Sequence, residues 1–456
     1  VGEQSALAFP LPLPVPYLQV PDARRALAHL AALVCGFPAR QMRLIGVTGT
    51  DGKTTTVNLI YQILLAAGLG AGMVSTVNAV LGDRVAETGL HVTTPDAPAV
   101  QGYLAEMVAS GLTHCVLEAT SHGLAQRRVD ACDWDVAVVT NVTHEHLDYH
   151  GTYEAYLAAK AILFESLLAG ARKPGQPKVA VLNADDRSFV AFRNIPTDRQ
   201  ISYSLTSAAD LVARNLESGP FGTRFDLVFE GRVYPMSTRL SGEHNASNAL
   251  AAVGAVLGLV PVVPMDAIQH GLETLVGIPG RLERIDAGQP FFVAVDFAHT
   301  PNALQHVIET GRAMIDDGGR VIMVFGSAGL RDRAKRRLMA EISARAADLT
   351  VLTAEDPRTE SLSSILSEMA EGCVAAGGRE GESFFRIPDR LQAIYHALTS
   401  ARLGDIVLVC GKGHEQSMCF GDKEYPWDDR TAVRQALRAL LGSEPLPPSG
   451  LPTGGV

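Results

Sequence analysis

"RLIGVTGTDGKTTTVNLIYQILLAAG", Arg43 to Gly68, is the stretch whose reading decides the fold. A short β-branched run leads into a glycine-rich turn, and the turn leads into a helical stretch. Such a turn aims backbone N–H groups and the helix dipole at a bound anion. In a loop of this kind Lys53 reaches the outer phosphates of a nucleotide and the Thr54 hydroxyl ligates Mg2+. Gly49, Thr50, Asp51, Gly52 and Thr55 complete the candidate phosphate cradle. The spacing departs from the usual loop at one place, because Val47 stands where its first glycine is expected.

Working outward, the same alternation of short apolar runs with helical stretches continues. "THCVLEA" (113–119), "WDVAVVTNV" (134–142) and "KVAVLNAD" (178–185) read as buried parallel strands. "FFVAVDFAH" (291–299), "RVIMVFGSAG" (320–329), "LTVLTAED" (349–356) and "DIVLVCGKGH" (405–414) repeat the pattern. Two separate sheets in an α/β protein follow. Between them "TRFDLVFEGRVYPMSTRL" (223–240) alternates like an antiparallel excursion, and "GIPGRLERI" (277–285) reads as a turn into a new domain. The predicted organisation is a leading segment 1–40, a central domain 41–278, a last domain 279–442 and a disordered Pro/Gly/Ser-rich tail 443–456.

Bulk properties narrow the function. The formal charge is −10 and no basic stripe is present, which argues against a nucleic-acid partner. The six cysteines are scattered without a CxxC pair, which favours reduced thiols in a cytoplasmic protein. The best membrane candidate, "ALAAVGAVLGLVPVVPM" (249–265), is shorter than the roughly 20 apolar residues a span needs and carries Pro261 and Pro264. It reads as a buried helix running into a loop, so no membrane partner is expected.

Further motifs follow the loop in order: "TTPDA" (93–97), "EATSHGLAQRRV" (118–129), "TNVTHEHLDYHG" (140–151), "GEHNASNALAA" (242–252), "GIPGRLERI", "VDFAHTPNAL" (295–304), "GSAGLRDRAKR" (326–336), "TAEDPRTE" (353–360) and "GKGHEQ" (411–416). With the phosphate loop they resemble the Mur ligase family, the ATP-dependent amide-forming enzymes of peptidoglycan synthesis. The closest likeness is to the branch that adds the third residue of the stem peptide. The resemblance implies a central P-loop-type ATPase domain with a parallel sheet, plus a C-terminal Rossmann-like α/β domain. It also implies a monomer that takes a UDP-muramoyl-dipeptide and a diamino acid as small-molecule substrates and serves cell-wall building, cell shape and division. Residues 1–40, with "VPDARRALAHLAALVCG" (20–36), would be the remnant of an N-terminal UDP-binding domain and its linker.

The chemistry is coherent from below. A carboxylate and an amine do not condense unaided in water; ATP converts the carboxylate to an acyl phosphate, the amine attacks and phosphate leaves. Catalysis must neutralise charge on the transferring phosphoryl group and hold the acceptor in line, which calls for Mg2+, Lys53 and positioning. The resemblance also accounts for "THEHLDYHGTYEAYLAAK" (143–160), with His144, His146 and His150 among acids. It makes Glu118 and His146 magnesium ligands and Lys160 a carbamate bearer. A lysine ammonium repels a metal, whereas CO2 captured on the neutral amine makes a carboxylate-like ligand, and burial eases that step.

The remaining roles carry over residue by residue. Asn141, Asn245 and Asn248 would approach the nucleotide, the last two from one helical face. Arg281, Asp296 and His299 open the last domain and would close over it. Thr93, Thr94, Thr120, Gln126 and Arg128 would grip the muramoyl-dipeptide. Arg331, Glu355, Asp356, Pro357, Arg358, Gly411 and Glu415 would form the amino-acid pocket, Glu415 binding an α-ammonium and the arginines carboxylates.

Two departures from the family pattern bear on the substrate. The selectivity motif, usually Asp-Asn-Pro-Arg in diaminopimelate-adding enzymes, is Glu355-Asp356-Pro357-Arg358. Arg358 favours a distal carboxylate and hence meso-diaminopimelate; Asp356 adds a negative charge that favours a distal ammonium, as in lysine or ornithine. Phe297 and Asn302 also replace a usual tyrosine and aspartate. The alternatives are a ligase for lysine or ornithine, a related ligase acting on another carboxylate such as a folate, and a nucleotide-binding partner subunit.

Overall fold

The computed structural model describes residue 3 and residues 18–86, 93–143, 147–219, 222–316 and 318–453. The chain divides into two compact units, Val1–Val276 and Gly277–Val456.

In the first unit the strand Arg43–Thr48 lies mid-sheet, parallel to His114–Glu118 on one side and Val136–Val139 on the other. Beyond His114–Glu118 come Ala71–Val74 and two short antiparallel strands, Ala79–Val80 and Val85–Ala86. Beyond Val136–Val139 come Val179–Asn183, Arg199–Ser204 and Leu211–Gly219, all parallel to their inner neighbours. An antiparallel meander through Gly222–Phe229 and Arg232–Thr238 closes that edge. The expected parallel sheet is therefore a mixed one, parallel at its centre and antiparallel at both flanks. The central strands are buried throughout because helices cover both faces, which is why they read as unbroken apolar runs. Helix Lys53–Ala66 packs on helix Met265–Thr274, where a side chain on Gly271 would start 2.5 Å from Ile63 Cα. Helix Glu243–Leu257 is buried along most of its length by its alanines and leaves the loop Gly258–Pro264 behind it. Among the described residues no helix is long and apolar enough to cross a membrane.

In the second unit Ile406–Cys410 runs between Phe292–Asp296 and Val321–Phe325, all parallel. Leu349–Leu352 and Phe384–Arg386 extend that sheet in parallel, and Glu283–Arg284 adds an antiparallel edge. The hairpin Ser417–Phe420 with Lys423–Pro426 stands apart. The tail, expected to be disordered, is held at least to Thr453. Leu451 joins the hydrophobic core, and Thr453 Oγ1 donates to Asp389 Oδ2 at 3.0 Å.

Candidate active site

Both sheets gather their chemistry at the carboxyl ends of parallel strands, where an α/β sheet leaves a crevice. In the first unit the register puts Val47 opposite Glu118 and Thr48 opposite Val139. The phosphate loop that follows Thr48 is therefore flanked by Glu118 on one side and by Thr140 and Asn141 on the other.

Each flank holds the loop. Thr50 N–H donates to the Asn141 carbonyl at 2.7 Å, and Asp51 N–H to Asn141 Oδ1 at 2.9 Å. Asn141 Nδ2 and Thr140 Oγ1 donate to the Asp51 carbonyl at 3.1 and 2.6 Å. Thr50 Oγ1 lies 3.1 Å from the Tyr156 hydroxyl. Two glycines have no substitute here. Gly49 (φ 149°) would place a Cβ 1.9 Å from Thr140 Oγ1, and Gly52 (φ 80°) one 2.2 Å from Asn248 Oδ1. Gly52 also begins helix Lys53–Ala66 without a side-chain cap, so the first-turn N–H groups keep their capacity for an anion. Lys53 Nζ donates to the Thr50 carbonyl at 2.6 Å within the loop.

Glu118, expected as a metal ligand, is buried, and Oε2 accepts from Thr54 Oγ1 at 3.0 Å. The same oxygen accepts Thr76 N–H at 3.0 Å and Thr76 Oγ1 at 2.9 Å, and Thr76 in turn lies 3.3 Å from Thr93 Oγ1. This set of hydroxyl and carboxylate oxygens suits a hard cation such as Mg2+. His146, with His144 and Glu145, lies outside the described residues. Lys160 is buried on helix Tyr153–Ala169; its Nζ donates to the Gly49 carbonyl at 2.6 Å and stands 4.4 Å from the Tyr156 ring centre.

The residues expected to grip the dipeptide adjoin this group. Thr94 Oγ1 donates to the Glu118 carbonyl at 2.9 Å and lies 3.0 Å from Thr120 Oγ1. Arg128 donates to the Thr94 carbonyl at 2.7 Å and to Gln126 Oε1 at 2.7 and 3.1 Å. Asn245 and Asn248 face one way on their helix, joined by a 3.1 Å hydrogen bond.

The second unit repeats the arrangement. Asp296 ends its strand buried and accepts Leu282 and Ala298 N–H at 2.7 Å each. Burial pushes its carboxyl up, against the pull of Arg281 and those two N–H groups. The Arg281 guanidinium lies 5.1 Å from the Phe297 ring centre. Burial and the Lys335 ammonium push the His299 imidazole down to about 4, so it is neutral near pH 7.

Gly329 N–H donates to the Asp356 carbonyl at 2.9 Å, fastening the loop after Val321–Phe325 to the loop after Leu349–Leu352. Below them the buried Arg390 binds Asp429 through two hydrogen bonds and reaches the carbonyls of Ala354 and Cys410. Glu355 is buried, and burial raises its carboxyl; Oε2 has no hydrogen-bond partner among the described residues. Gly411 has to be glycine, since a Cβ would stand 2.2 Å from that oxygen. Asp356 binds Lys412 Nζ through both oxygens at 2.9 Å, and Lys412 also pairs with Glu415 Oε2 at 2.5 Å. Arg331 is exposed and Arg358 half-buried, and neither has a carboxylate in ion-pair range among the described residues.

Thr76, Thr140, Tyr156 and Lys412 were not singled out in the sequence. Thr140, Tyr156 and Lys412 stood inside quoted stretches without a role assigned; Thr76 lay outside them all.

A phosphate loop beside an acidic strand end, joined in one chain to a second α/β unit with its own strand-end loops, defines a nucleotide-using two-domain enzyme. Comparison with known families makes this specific. The Mur ligase middle domain matches residues 47–256, and the Mur ligase glutamate ligase domain matches residues 280–413. The chain belongs to the Mur ligase family, and it is an ATP-dependent, ADP-forming ligase. It is 45% identical over 436 residues to the UDP-N-acetylmuramyl-tripeptide synthetase of Roseiflexus sp. (strain RS-1), covering 94% of this chain and 85% of that protein. It is 40% identical over 440 residues to the UDP-N-acetylmuramoyl-L-alanyl-D-glutamate--2,6-diaminopimelate ligase of Geobacillus thermodenitrificans (strain NG80-2), covering 96% and 88%. A solved structure of a ligase of that same name aligns with a TM-score of 0.62 at 32% identity, covering 93% of this chain and 84% of that one.

Proposed function

We infer that this ligase joins a diamino acid, meso-diaminopimelate, to UDP-N-acetylmuramoyl-L-alanyl-D-glutamate in cytoplasmic peptidoglycan synthesis. The observation that carries the reading is the loop of Lys53 and Thr54 tied to Glu118, in a chain so extensively identical to the tripeptide synthetase. The substrate carboxylate is phosphorylated by ATP, the amine of the diamino acid attacks the acyl phosphate, and phosphate leaves. Lys53 turns from the Thr50 carbonyl toward the transferring phosphoryl oxygens, and the N–H groups of the first helical turn hold the phosphates. Thr54, Glu118 and, by family resemblance, His146 would hold Mg2+, which supplies charge neutralisation when bound. Asn141 shapes the loop through Asp51, and Asn245 and Asn248 would meet the adenine.

Lys160 would carry a carbamate. Its burial against the phosphate loop, with Nζ 2.6 Å from the Gly49 carbonyl, supports the assignment by placing the amine beside the phosphate cradle. In the second unit Arg331 and Arg358 would meet the carboxylates of the amino acid, and Glu415 its α-ammonium. The diaminopimelate choice is supported by Arg358, half-buried and with no carboxylate in ion-pair range among the described residues.

The test is phosphate release and product formation from ATP, Mg2+ and UDP-N-acetylmuramoyl-L-alanyl-D-glutamate against a panel of diaminopimelate, lysine and ornithine. Product only with a diamino acid on this acceptor is expected. Turnover on an unrelated carboxylate, and none here, would overturn the reading.

A further inference from the structure

Asp356 places a carboxylate next to Arg358 in the loop that the proposed reaction uses to choose its amino acid. Left facing the pocket, it would repel a second carboxylate on the substrate and attract an ammonium. Its surroundings prevent this. Both Asp356 oxygens take Lys412 Nζ at 2.9 Å, and Oδ1 also takes Cys419 N–H at 2.9 Å. Lys412 is 0% exposed, and its other partner is Glu415 Oε2 at 2.5 Å. Burial alone would push the Lys412 ammonium down; Glu415 and Asp356 outweigh burial and hold it above the ordinary lysine value. Two carboxylates therefore share one desolvated cation, Asp356 buried and Glu415 partly exposed.

The loop is also fixed in its turn. Asp356 (φ 41°) and Arg358 (φ 54°) are left-handed on either side of Pro357. Arg358 N–H donates to the Cys419 carbonyl at 3.0 Å, and Gly421 N–H to the Arg358 carbonyl at 2.8 Å. The backbone of Arg358 is thus tied to the hairpin Ser417–Phe420, while its guanidinium has no carboxylate in range among the described residues.

We propose that Lys412 is the positioning residue that sets amino-acid specificity: it holds Asp356 in the interior and leaves Arg358 as the charge that meets a distal carboxylate. The proposal rests on the ligase reading above. It turns the acidic replacement in Glu355-Asp356-Pro357-Arg358 from an argument for lysine into one arm of a buried ion pair. The specificity signal therefore spans two loops 56 residues apart in sequence.

The experiment compares kcat and KM for meso-diaminopimelate and L-lysine in the full chain, wild type against Asp356→Asn, Lys412→Met and the double variant. Lys412→Met exposes an unneutralised carboxylate. It should lower the kcat/KM ratio of diaminopimelate over lysine by about tenfold, chiefly through KM for diaminopimelate. Adding Asp356→Asn should restore the ratio. Asp356→Asn alone is nearly isosteric and keeps Lys412 on Glu415, so the ratio should hold; it decides the question even if Lys412→Met does not fold. A clear shift of that ratio in Asp356→Asn, a rise above all, would mean that Asp356 acts on the substrate directly and would overturn the proposal. So would an equal loss for both amino acids in a folded Lys412→Met. A wild type that prefers lysine would instead overturn the diaminopimelate reading, while the variant-to-wild-type ratios would still report on Lys412. Thermal-shift titration with each amino acid reads the same pocket without turnover.

Discussion

Thr54 Oγ1 donates to Glu118 Oε2 at 3.0 Å, joining the first turn of the helix behind the phosphate loop to the end of the neighbouring strand. Thr76 adds two more donors to the same oxygen, so a carboxylate inside the protein is held by hydroxyls and a backbone N–H. Such an arrangement keeps the charge available to a cation from outside. Glu118→Gln retains the shape and loses the charge. Phosphate release should fall by about 2–3 kcal/mol in activation free energy, and the Mg2+ concentration for half-maximal rate should rise. An unchanged Mg2+ titration in a folded variant would remove Glu118 from the metal site.

The two loop glycines make a stability prediction that also reads binding. Gly49→Ala drives a methyl into Thr140 Oγ1, and Gly52→Ala drives one into Asn248 Oδ1 from a left-handed backbone. Each should cost about 1–3 kcal/mol in urea unfolding. Nucleotide affinity should fall further than stability, because the displaced groups shape the cradle. Isothermal titration with ADP on the folded variants checks this.

Lys160→Ala should abolish ligation while leaving the far-ultraviolet circular dichroism unchanged, since one side chain on the helix Tyr153–Ala169 is removed and the backbone bonds stay. Acetate or bicarbonate should restore part of the activity by standing in for the lost carboxylate. Full activity in the alanine variant would sink the carbamate assignment.

Much of this was legible beforehand, and the reasons differ by element. The central strands could be read because burial on both faces leaves an unbroken apolar run, as in Val136–Val139 and Ile406–Cys410. Ala79–Val80 and Val85–Ala86 are two residues each, too short for any period to register. Leu211–Gly219 buries little beyond its first turns of chain and reads as polar. In the site, the sequence singled out residues within motifs, whereas it gave no sign of which residues pair across long separations. Thr76 meets Glu118 across 42 positions, and Lys412 meets Asp356 across 56. Asn141 shows the opposite limit: its place was legible, but its grip on the Asp51 backbone required coordinates.

His114 supplies a pH dependence. At the start of its strand, burial and then the Arg43 guanidinium push its imidazole down to about 4. The folded state therefore binds its proton less readily than the unfolded chain, whose histidine titrates near the ordinary 6.5. The contribution is fully present above about pH 6.5 and is lost as pH falls toward 4, amounting to at most about 3 kcal/mol. Urea midpoints measured across that window should decline with acidity, and less steeply in His114→Gln. Parallel slopes would assign the acid sensitivity to other groups.

The last prediction concerns Arg358. Pro357 and the two left-handed residues beside it hold the loop in one turn, and Asp356 is bound to Lys412 instead of to an arginine. With diaminopimelate, the α-carboxylate and the distal carboxylate give Arg331 and Arg358 one anion each. With lysine or ornithine, one guanidinium would stay without a substrate carboxylate, which forgoes a charged hydrogen bond. Arg358→Ala should therefore lower kcat/KM for diaminopimelate by about 2–3 kcal/mol, the size of a lost charged hydrogen bond. The loss for lysine should be smaller, because lysine brings no distal carboxylate to that position. Initial rates with both amino acids on the same preparation check the difference. Equal losses would place Arg358 on the α-carboxylate and move the distal contact to Arg331.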